Sequence, residues 1–151
     1  MGEIVMSNTT VGKRIAFLGA VSHKKGVQLM IEGFRAIHEA DPSFTLHIGG
    51  AIQDPRYGAY LDHAILDLNL QNSIHYAGHV DNAVEWLQDK DFIYISSPLE
   101  GCPVGLLEAM SAGLCPLIHS FVGANKMYPS VYIWRHIPQL VEMALAGRGA
   151  P

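Results

Sequence analysis

A chain of 151 residues, 49% hydrophobic and 16% charged, is long enough for one domain with its own core and too apolar to stay disordered. A net charge of −4, with the basic residues scattered, provides neither the Lys/Arg stripe nor the aromatic platform that nucleic acid requires. No apolar run reaches membrane-spanning length, Met1–Thr10 has no secretory pattern, and Cys102 and Cys115 form neither a disulfide framework nor a zinc ligand set, so a reducing cytoplasm is the expected setting.

Met1–Gly12 reads as a loosely structured segment, followed by a domain over residues 13–151. Arg14–Gly19 opens that domain as a strand with a continuous apolar run, Ile15 to Leu18. A polar turn, Ser22-His23-Lys24-Lys25-Gly26, leads into a helix with Val27, Met30, Ile31, Phe34 and Ile37 on one face, closed by Asp41-Pro42. Phe44–Ile48 alternates as a second strand and runs into Gly49-Gly50. Tyr60, Leu61, Ala64, Ile65 and Leu68 mark a second helical face, and Ser73–Tyr76 a third strand that ends at Gly78. Asp81 is placed to cap a short helix containing Val84, Trp86 and Leu87. Phe92–Ile95 reads as a strand buried on both faces, Cys115–Ile118 as a fifth and Val131–Trp134 as a sixth, with Pro138–Leu145 as a closing helix. Strands and helices that alternate with short connections predict an α/β, single Rossmann-like domain. It is a mostly parallel, doubly wound sheet of about six strands with helices on both faces. Ligands in such folds bind beyond the carboxyl ends of the strands, where the glycine-rich turns of this chain fall.

The segment Ser97–Glu108 carries the most chemistry. A Gly/Pro-broken loop leaves the buried strand, and the run Leu106–Met110 then forms a helix that stops at Gly113. Free N–H groups and the positive end of a helix dipole there suit an anion. Glu108 in the first turns can accept two hydrogen bonds from a vicinal diol such as ribose, and Glu100 on the loop can face the hydroxyls of whatever the phosphate carries. The arrangement suits a sugar nucleotide, although two glutamates on such a unit are equally compatible with surface decoration. Lys25 beside a helix start is a phosphate point charge or a solvated surface lysine next to Lys24. His23, His79 and His119 lie in strand-end turns, where plain loop histidines are common, and His75 and His79 run off a strand, so they do not form a metal pair. Neither a Walker A loop, a Gly-x-Gly-x-x-Gly turn nor a Gly-x-Ser-x-Gly elbow is present.

Taken in order, Gly19…Lys25-Gly26, Gly78-His79-Val80, Ser97-x-x-Glu100-Gly101…Leu106-Leu107-Glu108-Ala109-Met110-Ser111-Ala112-Gly113 and Val122-Gly123-Ala124 resemble the C-terminal, donor-binding half of retaining GT-B glycosyltransferases of the glycosyl transferases group 1 family. The resemblance runs from about Arg14 to Leu145 and rests chiefly on the Glu-x7-Glu element. It implies a hexosyltransferase-type role with a nucleotide-diphosphate-sugar donor, no metal and no further cofactor. It assigns the donor diphosphate to Lys25 with the turn at Gly19 and Ala20, the sugar hydroxyls at the reacting centre to Glu100, and the ribose to Glu108. The sugar and phosphate would meet main chain through Gly101, Cys102, Val104 and Gly105, and the base would meet His79 and Val80. It also implies an N-terminal acceptor half absent from this chain, and hence no transfer by the isolated domain.

Three positions depart from the family pattern. Ala20 stands where an Arg commonly partners the Lys, Pro103 removes an N–H where glycine is common, and no acidic residue lies near Lys126. These departures leave open a degenerate, non-catalytic module used as a scaffold or partner-binding domain. A related GT-B-like enzyme such as a sugar-nucleotide epimerase is a further alternative.

Overall fold

The computed structural model describes residues 12–22, 26–96, 112–120 and 124–147. Nearly all of the expected N-terminal segment, the loop and helix from Ser97 to Met110, and Val122-Gly123 lie outside them.

Among the described residues, β1 (Arg14–Leu18), α1 (Val27–Ala40), β2 (Thr45–Gly49), α2 (Pro55–Asp67) and β3 (Ile74–Gly78) come first. They are followed by α3 (Ala83–Leu87), β4 (Phe92–Ile95), β5 (Cys115–His119), α4 (Ala124–Met127), β6 (Ile133–Trp134) and α5 (Ile137–Ala146). The strands form one sheet in the order β3-β2-β1-β4-β5-β6. Every pairing is parallel, so the sheet is wholly rather than mostly parallel. The order reverses between β1 and β4, which opens a crevice beyond their carboxyl ends.

Two apolar layers explain the continuous hydrophobic runs. Ile15, Phe17, Leu46, Ile48, Phe92, Tyr94, Leu117 and Trp134 pack under α1, α2 and α5. The alternate residues Ala16, Ile93, Ile95, Ile118 and Ile133 pack with Leu87 of α3, Ala124 of α4 and Tyr128. With both faces covered, β4 is buried at all four positions. The predicted stripe of α1 is buried as expected, including Val27, Met30, Ile31, Phe34 and Ile37. Each such side chain stabilises the fold by about 1.5–3 kcal/mol relative to exposure.

The seating of α1 on β4 is unusually close. Gly33 lies over Tyr94, and a Cβ there would overlap the tyrosine hydroxyl and approach Leu140 Cδ2 to 2.7 Å. That hydroxyl donates to the carbonyls of Met30 (3.1 Å) and Leu29 (3.2 Å) in the first turns of α1. Complete burial holds the phenol far above its ordinary pKa, so it remains a neutral donor.

Several boundaries differ from the sequence reading. Phe44 is buried but precedes β2, which extends to Gly49. β1 stops at Leu18, and β3 starts one residue later than expected and reaches Gly78. α2 starts at Pro55, because Asp54 caps it through Arg56 N (3.0 Å) and a proline suits the first turn. Asp81 does not cap α3. Asn82 does, accepting from Glu85 N at 3.0 Å, while Asp81 pairs with His79 at 3.2 Å. Val84 is half-exposed, so only Leu87 of the predicted α3 face is buried. The sixth strand is reduced to Ile133–Trp134, since a 3-10 turn occupies Ser130–Tyr132.

On the side of the sheet facing away from α1, His47 and His75 are paired across β2 and β3 with their rings stacked at 5.1 Å. Burial, reinforced by the charges of Lys90, His75 and Arg14, lowers the pKa of His47 from 6.5 to about 4.

Two outcomes are expected. Gly33→Ala lowers stability in urea unfolding by about 1–3 kcal/mol through overpacking, despite alanine's better helix propensity, and the loss shrinks in a Tyr94→Phe background because the overlapping oxygen is gone. Between pH 6.5 and 4 the unfolded chain binds a proton that folded His47 resists, so stability falls as pH drops through that window. Because His47 is only half-buried, the effect is about 1 kcal/mol, and unfolding of His47→Gln at pH 7 and pH 5 would show a flatter difference.

Candidate functional site

The crevice is built on glycine. α1 starts at Gly26, whose φ of 70° and ψ of 44° place it in the left-handed region. Its carbonyl accepts from Met30 N (2.9 Å) and from the Ser96 hydroxyl (3.0 Å). A Cβ on Gly26 would lie 2.5 Å from the Ser96 carbonyl oxygen. Ser96 is fully buried at the end of β4. The start of α1 is therefore pinned against the carboxyl end of β4, where the strand order reverses.

Helices α2 and α3 are closed by the Asp54 and Asn82 side chains, whereas α1 has no side-chain cap and no acidic residue in its first turn. The first N–H groups of a helix lack intrahelical partners and carry the positive end of its dipole. Among the described residues no acidic side chain of the first turn offsets that end, so α1 directs a positive terminus into the crevice, a setting that favours an anionic group.

A ledge of main chain forms the adjoining rim. Gly19 N donates to Gly49 O at 2.9 Å, Val21 N to Ala51 O at 2.9 Å, and Gly50 N to Gly78 O at 2.7 Å. Tyr76 braces it, its hydroxyl donating to Gly50 O at 2.7 Å. Gly50 has a φ of 146°, and a Cβ there would overlap the Gly19 carbonyl, so the turns after β1 and β2 approach each other only because glycine lies between them. A Cβ on Gly49 would lie 2.7 Å from Val80 Cγ2 and 3.0 Å from the Trp86 ring, which brings the turn after β3 onto the same ledge.

Of the residues singled out from sequence, Gly19, Ala20, His79 and Val80 are described and lie along this rim. His79 is largely exposed and pairs with Asp81. Lys25, Glu100, Gly101, Cys102, Val104, Gly105 and Glu108 lie outside the described residues, as does His23. His119 ends β5 with its ring against Trp134 at 4.8 Å, and His75 stacks on His47 away from the crevice. Ser96 and Gly50 were not singled out for the site. A serine directly after a fully buried strand was the available signal for Ser96. Gly50 stands in a Gly-Gly pair whose separate roles, tight packing and positive φ, depend on neighbours distant in the chain.

The glycosyl transferases group 1 profile matches residues 8–128. The chain belongs to that family. Mannosylfructose-phosphate synthase of Agrobacterium fabrum is 28% identical over 109 residues, 68% of this chain and 24% of the relative. Across the curated relatives it matches, the chain spans a quarter to a third of their length. Among solved structures, Anabaena HepE in complex with UDP and glucose superposes with a TM-score of 0.81 at 16% identity, over 95% of this chain and 41% of that one. The C-terminal domain of a glycosyl transferase group 1 protein, LpcC from Francisella tularensis, superposes with a TM-score of 0.76 at 18% identity, over 93% and 78%. Both likenesses establish the fold. No helix among the described residues of this family member is long and apolar enough to cross a membrane.

Gly26→Ala is expected to destabilise by about 1–3 kcal/mol, since alanine pays for a left-handed backbone and meets the Ser96 carbonyl. Equilibrium unfolding checks it, with Gly113→Ala as the comparison that shares a positive φ but meets nothing within 4 Å among the described residues.

Proposed function

We propose that this chain binds a nucleotide-diphosphate sugar at the β1/β4 crevice and is the donor half of a retaining, metal-independent glycosyltransferase of hexosyltransferase type. The observation that carries this reading is the uncapped start of α1, held by Gly26 against Ser96 at the point where the strand order reverses. A diphosphate fits there by charge, and the family's relative HepE has been solved with UDP and glucose on the same fold. Lys25, directly before Gly26, adds a full charge beside the diphosphate. Glu108 holds the ribose diol, Glu100 the sugar hydroxyls, main chain of Gly101–Gly105 the sugar and phosphate, and His79-Val80 the base.

In transfer, the acceptor hydroxyl oxygen bonds to the anomeric carbon as the bond from that carbon to the diphosphate oxygen breaks. The hydroxyl proton passes to the departing phosphate on the same face of the sugar, which preserves the anomeric configuration. Charge that builds on the diphosphate is stabilised by the α1 terminus and Lys25, the role a metal would otherwise fill. The acceptor half is supplied from outside these 151 residues, so the chain is expected to bind donor without transferring it.

Ala20 favours a second reading. At the rim position where the family commonly has Arg, it leaves the diphosphate one charge-assisted bond short, as would suit a module that has lost catalysis and serves as a scaffold.

Saturation-transfer NMR of the chain with UDP, GDP, ADP and their sugar conjugates separates the two. Donor binding predicts signal on one nucleotide's ribose and base, with affinity lower by about 1–3 kcal/mol in each of Lys25→Ala and Glu108→Gln. Silence from every nucleotide with the chain folded, or unchanged affinity in both variants, favours the scaffold. Ala20→Arg is expected to tighten nucleotide binding by about tenfold, read from the same titration.

A further inference from the structure

A second recessed surface lies on the same rim. Gln28 in the first turn of α1 and Arg56, Tyr57 and Tyr60 at the start of α2 line a groove of about 330 Å³. We propose that this groove is a carbohydrate subsite that takes one uncharged pyranose ring; its acceptor-side role rests on the donor reading above, whereas the binding itself does not.

Tyr57 and Tyr60 stand one helical turn apart, half-buried against the core, and both line the groove, where aromatic side chains suit the apolar C–H face of a sugar. Arg56 is held in place by its neighbour: Nε donates to Asp54 Oδ1 at 3.2 Å and one terminal nitrogen to Oδ2 at 3.0 Å. Asp54 is itself fixed as the cap of α2 by accepting from Arg56 N. The other terminal nitrogen of Arg56 takes no part in that pair, and the Gln28 amide is exposed with both a donor and an acceptor. Ring faces beside planar polar groups, which can address two adjacent hydroxyls at once, match a pyranose.

Charge argues against a phosphate. The Asp54 carboxylate neutralises the guanidinium, and its pKa is held below the usual range by that same contact. The position argues for a role in the reaction. Gln28 is two residues from Gly26, and the turn leading to α2 is tied to the crevice by Gln53 N donating to Val21 O at 3.2 Å.

The chain is titrated with methyl α-glucopyranoside, methyl α-mannopyranoside, inorganic phosphate and, separately, UDP, following nitrogen-15 and aromatic NMR signals. Expected are millimolar glycoside shifts at Arg56 Nε, the Gln28 amide and the Tyr60 ring, weakened by about tenfold in Arg56→Gln and Gln28→Ala, exposed substitutions that leave the fold intact. A groove that no glycoside shifts, that only phosphate shifts, or whose glycoside affinity is unchanged in both variants overturns the subsite. UDP shifts at Gly19, Ala20 and Gly26 report the donor reading independently. UDP binding with a silent groove defeats the subsite alone, and glycoside binding without UDP binding defeats the donor reading alone.

Discussion

The architecture depends on how closely α1 lies on β4. Gly33 removes the atom that would hold the helix away, and the buried Tyr94 hydroxyl then reaches two carbonyls in the first turns of α1. Packing alone would allow the helix to slide along the sheet by fractions of a turn, because apolar contacts are non-directional. A buried hydroxyl that must find acceptors is directional, since leaving it unpaired costs about 1–3 kcal/mol. Tyr94 therefore sets the axial position of α1, and with it the position of Gly26.

From that placement the crevice follows. Gly26 tolerates the left-handed turn and the approach of Ser96, so the helix start meets the carboxyl end of the adjacent strand without a side chain of its own in the way. The rim depends on a second set of close approaches, at Gly49 and Gly50, which lets three strand-end turns share one hydrogen-bonded ledge. At Gly26 and Gly50 glycine permits main chain to approach main chain, and at the start of α1 the first N–H groups, which have no intrahelical partner, face the crevice. Those donors are preorganised, since the helix holds them and they need little reordering when an anion arrives.

The two sheet faces serve different ends. The face under α1, α2 and α5 carries the aromatic layer of Phe17, Phe34, Phe92, Tyr94 and Trp134, which fixes the helices whose starts reach the rim. The opposite face has a smaller cluster and, toward β2 and β3, the stacked histidine pair with Lys90 and Arg14 nearby. Titration of His47 acts on stability, away from the crevice.

Much of this was legible in the sequence for a local reason. Strands buried on both faces leave continuous apolar runs, and α1 leaves a stripe of period 3.6, so element type and the parallel doubly wound class could be read directly from Arg14–Leu18, Val27–Ala40 and Phe92–Ile95. The Glu-x7-Glu element and its flanks, read as a resemblance, pointed to the family that the profile match then showed. Boundaries were less legible where two residues competed for one role. Asp81 and Asn82 are both able caps, and the choice fell to the one whose oxygen reaches Glu85 N. Only the tertiary structure decided that Ser96 meets Gly26 across 70 residues of chain, and that Tyr94 selects the seat of α1. It also decided that Gln28 and Arg56 open onto one groove. Each is a contact between segments far apart in sequence, and a pattern of local spacing carries no information about which distant atom will come within hydrogen-bonding distance.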